Sequence, residues 1–333
     1  MIHRRDFITL LGGAAAWPIA ARAQQRTSGL RQVGVLMNGV ATEKESQSNL
    51  AAFVLELRRL GWTEGQNLEI DVRWSGANDG LARTYAAQLI GSKPDVILAA
   101  TTLNLIAARD ATNTVPTVFV LVSDPVAQGF VESMTKPGGN ITGFSNLEFS
   151  IGSKWLELLK GVAPSLTRVA YIFNPETSPQ SKFYVQAIEA AALPLGVQVI
   201  TLPVRTTPDI EPALATFAQS PNGGVMLPTS GFMRLHWAMI AELAARYRLP
   251  SIASQPGFVK EGGLMEYGSA VSTVGQFRQA ASYVDRILKG LKAGDLPVQG
   301  ADRYTFSVNL KAAKTLGIEV PQTLLVAADE VIE

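Results

Sequence analysis

The sequence predicts an α/β protein built from two doubly wound parallel-sheet lobes. Three observations lead to this prediction. Segments of β-forming apolar residues alternate with segments of helical periodicity along most of the chain. That alternation runs to about residue 146 and then starts again. Finally, a chain of 333 residues is longer than one ordinary hydrophobic core requires and is long enough for two.

The first lobe is predicted from a βαβαβ series, the order that produces a parallel sheet with helices on both faces. Within it, Leu50, Phe53 and Leu57 recur at helical spacing, whereas apolar and polar residues alternate across 67–74 as in a strand. These elements assign residues 30–146 to the first lobe. We expect strands at 32–39, 67–74, 95–100, 117–123 and 140–145, and helices at 46–60, 81–90 and 104–111.

The second lobe is predicted because the same order of elements returns. A helix at 155–162 is stopped by Pro164, and the strand that follows ends in Asn174-Pro175. Residues 147–261 therefore form the body of the second lobe. We expect its strands at 168–175, 196–204, 223–230 and 250–254, and its further helices at 183–192, 210–218 and 235–247.

The C-terminal part of the chain holds more elements than a simple division into two domains explains. A strand at 262–268, a helix at 274–288 and one more strand and helix within 304–318 follow the second series. A chain that crosses between the lobes more than once would accommodate them. We therefore expect about 262–296 to belong to the first lobe and about 300–333 to the second, with a multi-crossing hinge and a ligand cleft between the lobes.

Residues 1–23 are predicted to be an export signal. Arg4-Arg5 precede a short apolar stretch, and Ala21-Arg22-Ala23 follows it as a cleavage site. The paired arginines are typical of the twin-arginine type, which places the mature protein in the periplasm. The absence of cysteine excludes a lipid anchor, and without a later stretch of about 18 apolar residues we expect no stable membrane insertion. An amphipathic helix of the fold is the alternative for this segment.

Composition narrows the possible functions. A formal net charge of +1, with no basic run after the N-terminus, gives no basis for nucleic-acid binding. The chain has no cysteine, and only His236 remains after signal cleavage, so we expect no metal site and no cofactor. His236 lies in an amphipathic helical pattern, and no G-x-S-x-G motif occurs. We therefore expect a protein that is not an enzyme.

Hydroxyl and amide side chains follow nearly every predicted strand. Doubly wound sheets bind ligands outside the carboxyl ends of their strands, so these residues would face one another across the cleft. Each is also a preferred helix N-cap, which leaves a structural role open for any one of them. The candidate ligand-binding residues are Asn38, Thr42, Thr101, Thr102, Asn104, Ser123, Asp124, Ser145, Asn174, Thr177, Ser178, Thr229, Ser230 and Ser254.

Among these candidates, Ser123 and Asp124 end the most apolar strand. Pro125 follows and donates no N–H, so the strand cannot continue past Asp124. The two side chains should therefore lie at the mouth of the sheet. Asp124 has two open roles, which are to receive a cationic group of the solute or to hold the following turn through backbone N–H groups.

Several longer segments resemble one family over nearly the whole mature chain. They are "VSDPVAQGFVESMTKPGGNITGFSN", "RVAYIFNPETSPQS", "GGLMEYGSAVSTVGQFRQAASYVDRILKGLKAGDLPVQ" and "FSVNLKAAKTLGIEVPQTLLVAADEVIE". The family is that of ABC-transporter substrate-binding proteins, of the tryptophan-binding and uncharacterised-lipoprotein kind. The resemblance implies the type I periplasmic-binding-protein fold and a receptor that hands a captured small organic solute to a membrane permease. It also implies that the strand-end loops are the ligand loops.

Two departures from the family pattern concern the solute. The family commonly has an acidic residue after Pro228-Thr229, where this chain has Ser230-Gly231, and the first loop lacks the usual His-Pro element. The aromatic amino-acid specificity of some relatives is therefore not carried over, and an amino acid or an aromatic compound both stay open. The alternatives from other classes are a hydrolase-like enzyme on a similar α/β frame and a ligand-sensing repressor, which would need an N-terminal helix-turn-helix.

Overall fold

The structure of the protein is a computed structural model that describes residues 30–333. The export signal predicted at 1–23 lies outside the described residues. Two sheets flanked by helices form two lobes, and the architecture is α/β as predicted. Each lobe has apolar clusters of its own around its sheet.

The first sheet has five parallel strands in the order β2-β1-β3-β4-β5. All five residues of β3 are buried, because helices cover both faces of the sheet, and this explains the continuous apolar run in the sequence. The elements of this part are β1 (Arg31–Met37), α1 (Lys44–Arg59), β2 (Leu68–Trp74), α2 (Asp79–Gly91), β3 (Val96–Ala100), α3 (Thr101–Ala111), β4 (Thr117–Val122) and β5 (Ile141–Ser145).

The second sheet has seven strands in the order β12-β11-β10-β9-β8-β6-β7. Its neighbours are parallel except for β10 and β11, which are antiparallel. The elements that follow β5 in the chain are α4 (Ile151–Val162), β6 (Arg168–Phe173), α5 (Ser181–Ala192), β7 (Gln198–Pro203), α6 (Thr207–Ala218), β8 (Gly223–Leu227), α7 (Gly231–Leu235), α8 (Trp237–Arg246), β9 (Ser251–Ala253), β10 (Met265–Ser269), α9 (Thr273–Leu288), β11 (Tyr304–Asn309), α10 (Leu310–Leu316), α11 (Gln322–Ala327) and β12 (Glu330–Ile332).

Three segments carry the chain from one lobe to the other, and we call them the hinge segments. The first, 146–150, joins β5 to α4, and the second, 270–272, joins β10 to α9. The third, 296–303, leads from the short 3-10 turn Ala293–Asp295 to β11. Between the second and third segments, α9 packs on the first lobe, where Phe277 and Val284 join its core.

One predicted element lies in the other lobe. We expected about 262–296 in the first lobe, but β10 pairs with β9 and β11 of the second sheet. Met265 of β10 packs with Phe306 in the core of the second lobe. The return to the first lobe therefore falls near Ala270, after the strand. Apolar periodicity predicts a strand but does not show which sheet it joins, because its neighbours are chosen by tertiary packing.

Some boundaries differ from the predictions for local reasons. The strand expected at 223–230 ends at Leu227, since Pro228 has no N–H with which to extend the ladder. The helix expected at 235–247 divides at His236 into α7 and α8. The sequence analysis did not predict α11 and β12, which are short and mostly exposed. Within residues 30–333, no helix combines the length and apolar character that a membrane crossing requires.

Candidate functional site

A cavity of about 450 Å³ lies between the two lobes, at the carboxyl ends of strands of both sheets. Loops after β1 and β3 form its first-lobe wall, and loops after β6 and β8 form its second-lobe wall. The lobes approach each other closely at Gly231 of the second lobe and Asn38 of the first. A Cβ atom added at Gly231 would lie 3.5 Å from Nδ2 of Asn38. We call this space the solute cavity.

The first-lobe wall contains the start of α3, which is unusual in two ways. The helix begins directly after β3, and its N-cap residue, Ala100, has no side-chain acceptor for the first free N–H groups. Thr101 adopts a φ of +75°, a rare and strained value for a β-branched residue, and its hydroxyl donates to Oδ1 of Asn38 at 3.2 Å. Thr102 is 2% exposed, and its hydroxyl has no partner within residues 30–333. This wall therefore offers N–H groups and a free hydroxyl to an anion.

An acidic loop before and within the start of α1 lies beside this helix start. Glu45 pairs with Arg234 of the second lobe and accepts a hydrogen bond from Oγ1 of Thr273 at 3.3 Å. Glu43 accepts a hydrogen bond from the hydroxyl of Ser46 at 2.7 Å. Burial lowers the pKa of the Arg234 guanidinium from its usual value, and the nearby Glu43 carboxylate opposes that shift. One guanidinium thus faces two carboxylates.

The second-lobe wall is held by an asparagine turn. Oδ1 of Asn174 accepts from the N–H groups of Glu176 and Thr177, at 2.9 and 3.2 Å. Thr177 and Gln180 line the cavity, and their Oγ1 and Oε1 atoms have no hydrogen-bond partner in the described part of the chain. Buried oxygens of this kind are costly unless a ligand or water satisfies them. The wall therefore offers free acceptors to a bound solute.

Seven of the fourteen candidate residues line the solute cavity, and they lie at strand ends of both lobes. Thr229 is held by a 2.9 Å hydrogen bond to the hydroxyl of Ser254. Ser230 caps α7 by accepting from the N–H of Met233 at 3.5 Å. The seven cavity-lining residues are Asn38, Thr101, Thr102, Asn174, Thr177, Thr229 and Ser230.

The other candidates lie near the cavity but outside its lining. Asn104 is buried and donates to the carbonyl oxygens of Leu36 and Ala100. Ser145 lies beside the first hinge segment, and Ser178 is buried before α5. The hydroxyl of Ser178 does not cap α5 and has no hydrogen-bond partner among residues 30–333. The candidates outside the lining are Thr42, Asn104, Ser123, Asp124, Ser145, Ser178 and Ser254.

Asp124 forms the turn after β4 with both carboxylate oxygens. Oδ1 accepts from the N–H of Ala127 at 3.1 Å, and Oδ2 accepts from the N–H of Phe149 at 3.4 Å. The residue has a φ of +39°, and the strand ends at Val122, two residues before the limit that Pro125 sets at Asp124. This geometry favours the turn role among the two that the sequence left open.

Sequence reasoning missed the charged and apolar members of the cavity. Glu43, Glu45 and Arg234 line it, although a mixed charge run in a loop or helix usually indicates a solvated surface. Phe232 and Leu121 add apolar surface. The two acidic residues directly before the predicted first helix could have been recognised as site candidates. Leu121 could not, because it lies inside a continuous strand pattern.

His236 does not line the solute cavity, although it packs on Phe232, which does, and it is held by its own neighbours. One ring nitrogen is 2.8 Å from the hydroxyl of Thr207, and the other is 2.8 Å from the carbonyl oxygen of Phe232. Among residues 30–333, no cluster of three or more metal-ligating side chains is present. The hydroxyl–imidazole pair of Thr207 and His236 lies outside the lining of the solute cavity.

Two α/β lobes that enclose a polar cavity and are joined by hinge segments have the architecture of proteins that bind a small solute between two lobes. Comparison with protein families agrees with this class. The chain belongs to the ABC transporter substrate binding protein family, whose model matches residues 44–332. Its fold is the type I periplasmic-binding-protein fold. The substrate-binding proteins of this family act outside the cytoplasm.

Three relatives illustrate the similarity. A tyrosine-binding protein from Clostridioides difficile is 25% identical over 300 residues, which cover 90% of this chain and 85% of the relative. A solved conserved domain protein from Vibrio cholerae is 25% identical with a TM-score of 0.77, covering 90% of this chain and 99% of that one. An ABC domain from Streptococcus pneumoniae in complex with L-Trp is 22% identical with a TM-score of 0.76, covering 91% and 100%.

Proposed function

We propose that this chain is a periplasmic receptor that binds an amino acid with a large side chain and delivers it unchanged to an ABC-type permease. The observation that carries the proposal is that one wall of the solute cavity joins an uncapped helix start to an acidic loop. A free amino acid presents a carboxylate and an ammonium group side by side. The helix start complements the carboxylate, and the acidic loop complements the ammonium group. The tyrosine-binding relative supports the same solute class.

The carboxylate of the solute is assigned to the start of α3. The first N–H groups of this helix carry positive potential, and the N-cap Ala100 leaves them free of a side-chain acceptor. The unpartnered hydroxyl of Thr102 adds a donor at the same place. An anion bound here would satisfy a buried group that is otherwise costly.

The ammonium group is assigned to the acidic loop. Three acidic and two basic side chains line the cavity, so the lining has one negative charge in excess. Glu176 and Arg205 pair with each other at 3.3 Å and are both well exposed, which places the excess at Glu43 and Glu45 around Arg234. These carboxylates supply negative charge from the first lobe. In the second lobe, the uncharged Ser230 stands where the family commonly has an acidic residue.

The side chain of the solute is assigned to the apolar part of the lining. Met37, Leu121, Phe232 and Phe277 contribute this surface. A cavity of about 450 Å³ is within the range of small-molecule sites and accommodates an aromatic amino acid.

The test compares L-tyrosine with tyramine, which lacks the carboxylate, by isothermal titration calorimetry on the mature protein. We expect the wild type to bind L-tyrosine more tightly than tyramine. Thr102→Val keeps the shape of the side chain but removes the hydroxyl. It should weaken L-tyrosine binding by about tenfold or more, the scale of a hydrogen bond to a charged group, and should leave tyramine binding unchanged.

Thr42→Val is the matched control, because Thr42 is an exposed threonine near the same wall and does not line the cavity. It should bind both compounds as the wild type does. Equal wild-type affinity for L-tyrosine and tyramine would contradict the carboxylate assignment. Failure of all twenty amino acids to bind would contradict the proposed function.

A further inference from the structure

A second cavity of about 280 Å³ lies next to the solute cavity, between the first and second hinge segments. We call it the hinge chamber. Asn146 and Leu147 form one side of it, and 270–272 forms another. Five residues line both the chamber and the solute cavity, which makes them the boundary between the two spaces. They are Leu121, Thr229, Arg234, Gln255 and Thr273.

Leu121 reaches this boundary because β4 is irregular there. The pairing of β4 with β5 shifts register between Val120 and Val122, and Leu121 adopts a φ of +58°. Its N–H donates to Oε1 of Gln276 in α9 at 2.9 Å instead of continuing the sheet. Unlike the other residues of β4, Leu121 is only partly buried, so its side chain contributes an apolar surface to both cavities.

Several polar residues line the hinge chamber, and among them Asn146 has a buried side-chain atom that lacks a hydrogen-bond partner in the described residues. It is 5% exposed, and its Nδ2 has no hydrogen-bond partner among residues 30–333. The orientation of its amide is set by a buried chain of hydrogen bonds. The Tyr184 hydroxyl donates to Oγ of Ser123 at 2.9 Å, and Ser123 donates to Oδ1 of Asn146 at 3.1 Å.

Because of this chain of hydrogen bonds, the unpartnered atom of Asn146 is the donor Nδ2 and not the acceptor Oδ1. Tyr184 is fully buried, and burial raises the pKa of its phenol, so it stays protonated and donates. Ser123 accepts from Tyr184 with one lone pair and donates its proton to Oδ1 of Asn146, so the amide oxygen is engaged, while the amide NH₂ has no partner among residues 30–333. A buried donor without a partner favours a ligand acceptor.

We propose that the hinge chamber is a second subsite, which takes the far end of the solute's side chain and binds a hydrogen-bond acceptor there through Nδ2 of Asn146. The solute is then an amino acid whose apolar side chain passes Leu121 and ends in an oxygen atom, as a phenol does. This inference rests on the proposed function, since it requires the amino-acid end to occupy the solute cavity.

The experiment titrates L-tyrosine and L-phenylalanine, which differ by one hydroxyl group, into the mature protein. We expect the wild type to bind L-tyrosine about 3- to 10-fold more tightly, the scale of one hydrogen bond. Asn146→Ala should bring this ratio to about 1 by weakening L-tyrosine binding while L-phenylalanine binding is unchanged. Asn49→Ala is the matched control, because Asn49 lines the solute cavity and should affect both ligands alike.

A second variant tests the chamber without altering a buried residue. Ala270 is exposed and lines the chamber, so Ala270→Trp should fill the space and weaken both ligands at least tenfold. Ala301→Trp places the same side chain on the third hinge segment, against a different hollow, and should leave both affinities unchanged. Thermal melting of each variant verifies that it folds.

The outcomes separate the two proposals. If Asn146→Ala keeps the wild-type ratio and Ala270→Trp keeps the wild-type affinities, the subsite is refuted while the amino-acid receptor stands. If neither amino acid binds to the wild type, the proposed function fails and the subsite fails with it.

Discussion

Asp124 is the residue whose role the geometry defines most sharply, because both of its carboxylate oxygens accept backbone N–H groups. Asp124→Asn keeps the shape but replaces one accepting oxygen with a donor. We expect the free energy of unfolding of the ligand-free protein to fall by about 1–2 kcal/mol, which lowers Tm by roughly 2–4 °C or more. Differential scanning calorimetry measures this change, and titration with L-tyrosine should show only a small loss of affinity.

Glu148→Gln is the control for this prediction, since it removes an exposed carboxylate nearby that accepts no backbone N–H. Its melting temperature should match that of the wild type. A large loss of affinity in Asp124→Asn, with an unchanged Tm, would instead assign Asp124 to the ligand.

At the scale of residues, the uncharged polar residues of the site were easier to predict from the sequence than its charged residues. Thr101, Thr229 and Ser230 were predictable because parallel strands present their carboxyl ends at one edge of a sheet. Ser123 and Asn104 were expected at the ligand, yet both are buried in hydrogen bonds of the protein itself. Hydroxyls and amides serve equally well as caps, relays and ligand groups, so residue type alone cannot separate these roles.

At the scale of elements, β10 carries a buried carboxyl group that couples stability to pH. Glu266 is 3% exposed, and its Oε2 accepts from the N–H groups of Gly257 and Val259 at 2.8 and 3.2 Å. Burial raises the pKa of Glu266 from its usual 4.5, although these N–H groups oppose the shift. The folded state therefore holds this proton more tightly than the unfolded state does.

The sign of the pH effect follows from that shift. The contribution of Glu266 to stability is fully present below its unfolded pKa and is lost as pH rises through the folded pKa. We expect Glu266→Gln to remove this loss, so the variant gains stability relative to the wild type as pH rises from about 4 to 7. Urea unfolding across this pH range measures the difference.

Glu189→Gln, at an exposed position of α5, is the control because that glutamate is not among the groups that shift the pKa of Glu266. A difference between Glu266→Gln and the wild type that stays constant from pH 4 to 7 would show that burial does not govern this carboxyl group.

Most of the helices and strands could be predicted because each buries an apolar face of fixed periodicity. The sheet to which β10 belongs could not, since a five-residue strand carries no information about its neighbours. The bulge at Leu121 was equally hidden, because it depends on a hydrogen bond to Gln276, far away in the chain. Contacts made by tertiary structure are thus the part that periodicity leaves out.

At the scale of the whole molecule, the proposed location depends on the export signal expected at 1–23. Replacing both Arg4 and Arg5 with lysine should retain the precursor in the cytoplasm if the twin-arginine route is used. Cell fractionation followed by immunoblotting measures the distribution. Substituting the exposed pair Arg58-Arg59 with lysines is the control and should leave export unchanged. Normal periplasmic accumulation of the variant with the altered signal would refute the route but not export itself.

The position of α9 in the chain has a consequence for synthesis and folding. The five strands of the first sheet are translated by residue 145, but the helix that supplies Phe277 and Val284 to their core spans 273–288. During synthesis, the first lobe therefore keeps an uncovered apolar face until most of the second lobe has been translated. Long-range contacts of this kind slow folding, so the two lobes should reach their final cores as one late, coupled event rather than in turn.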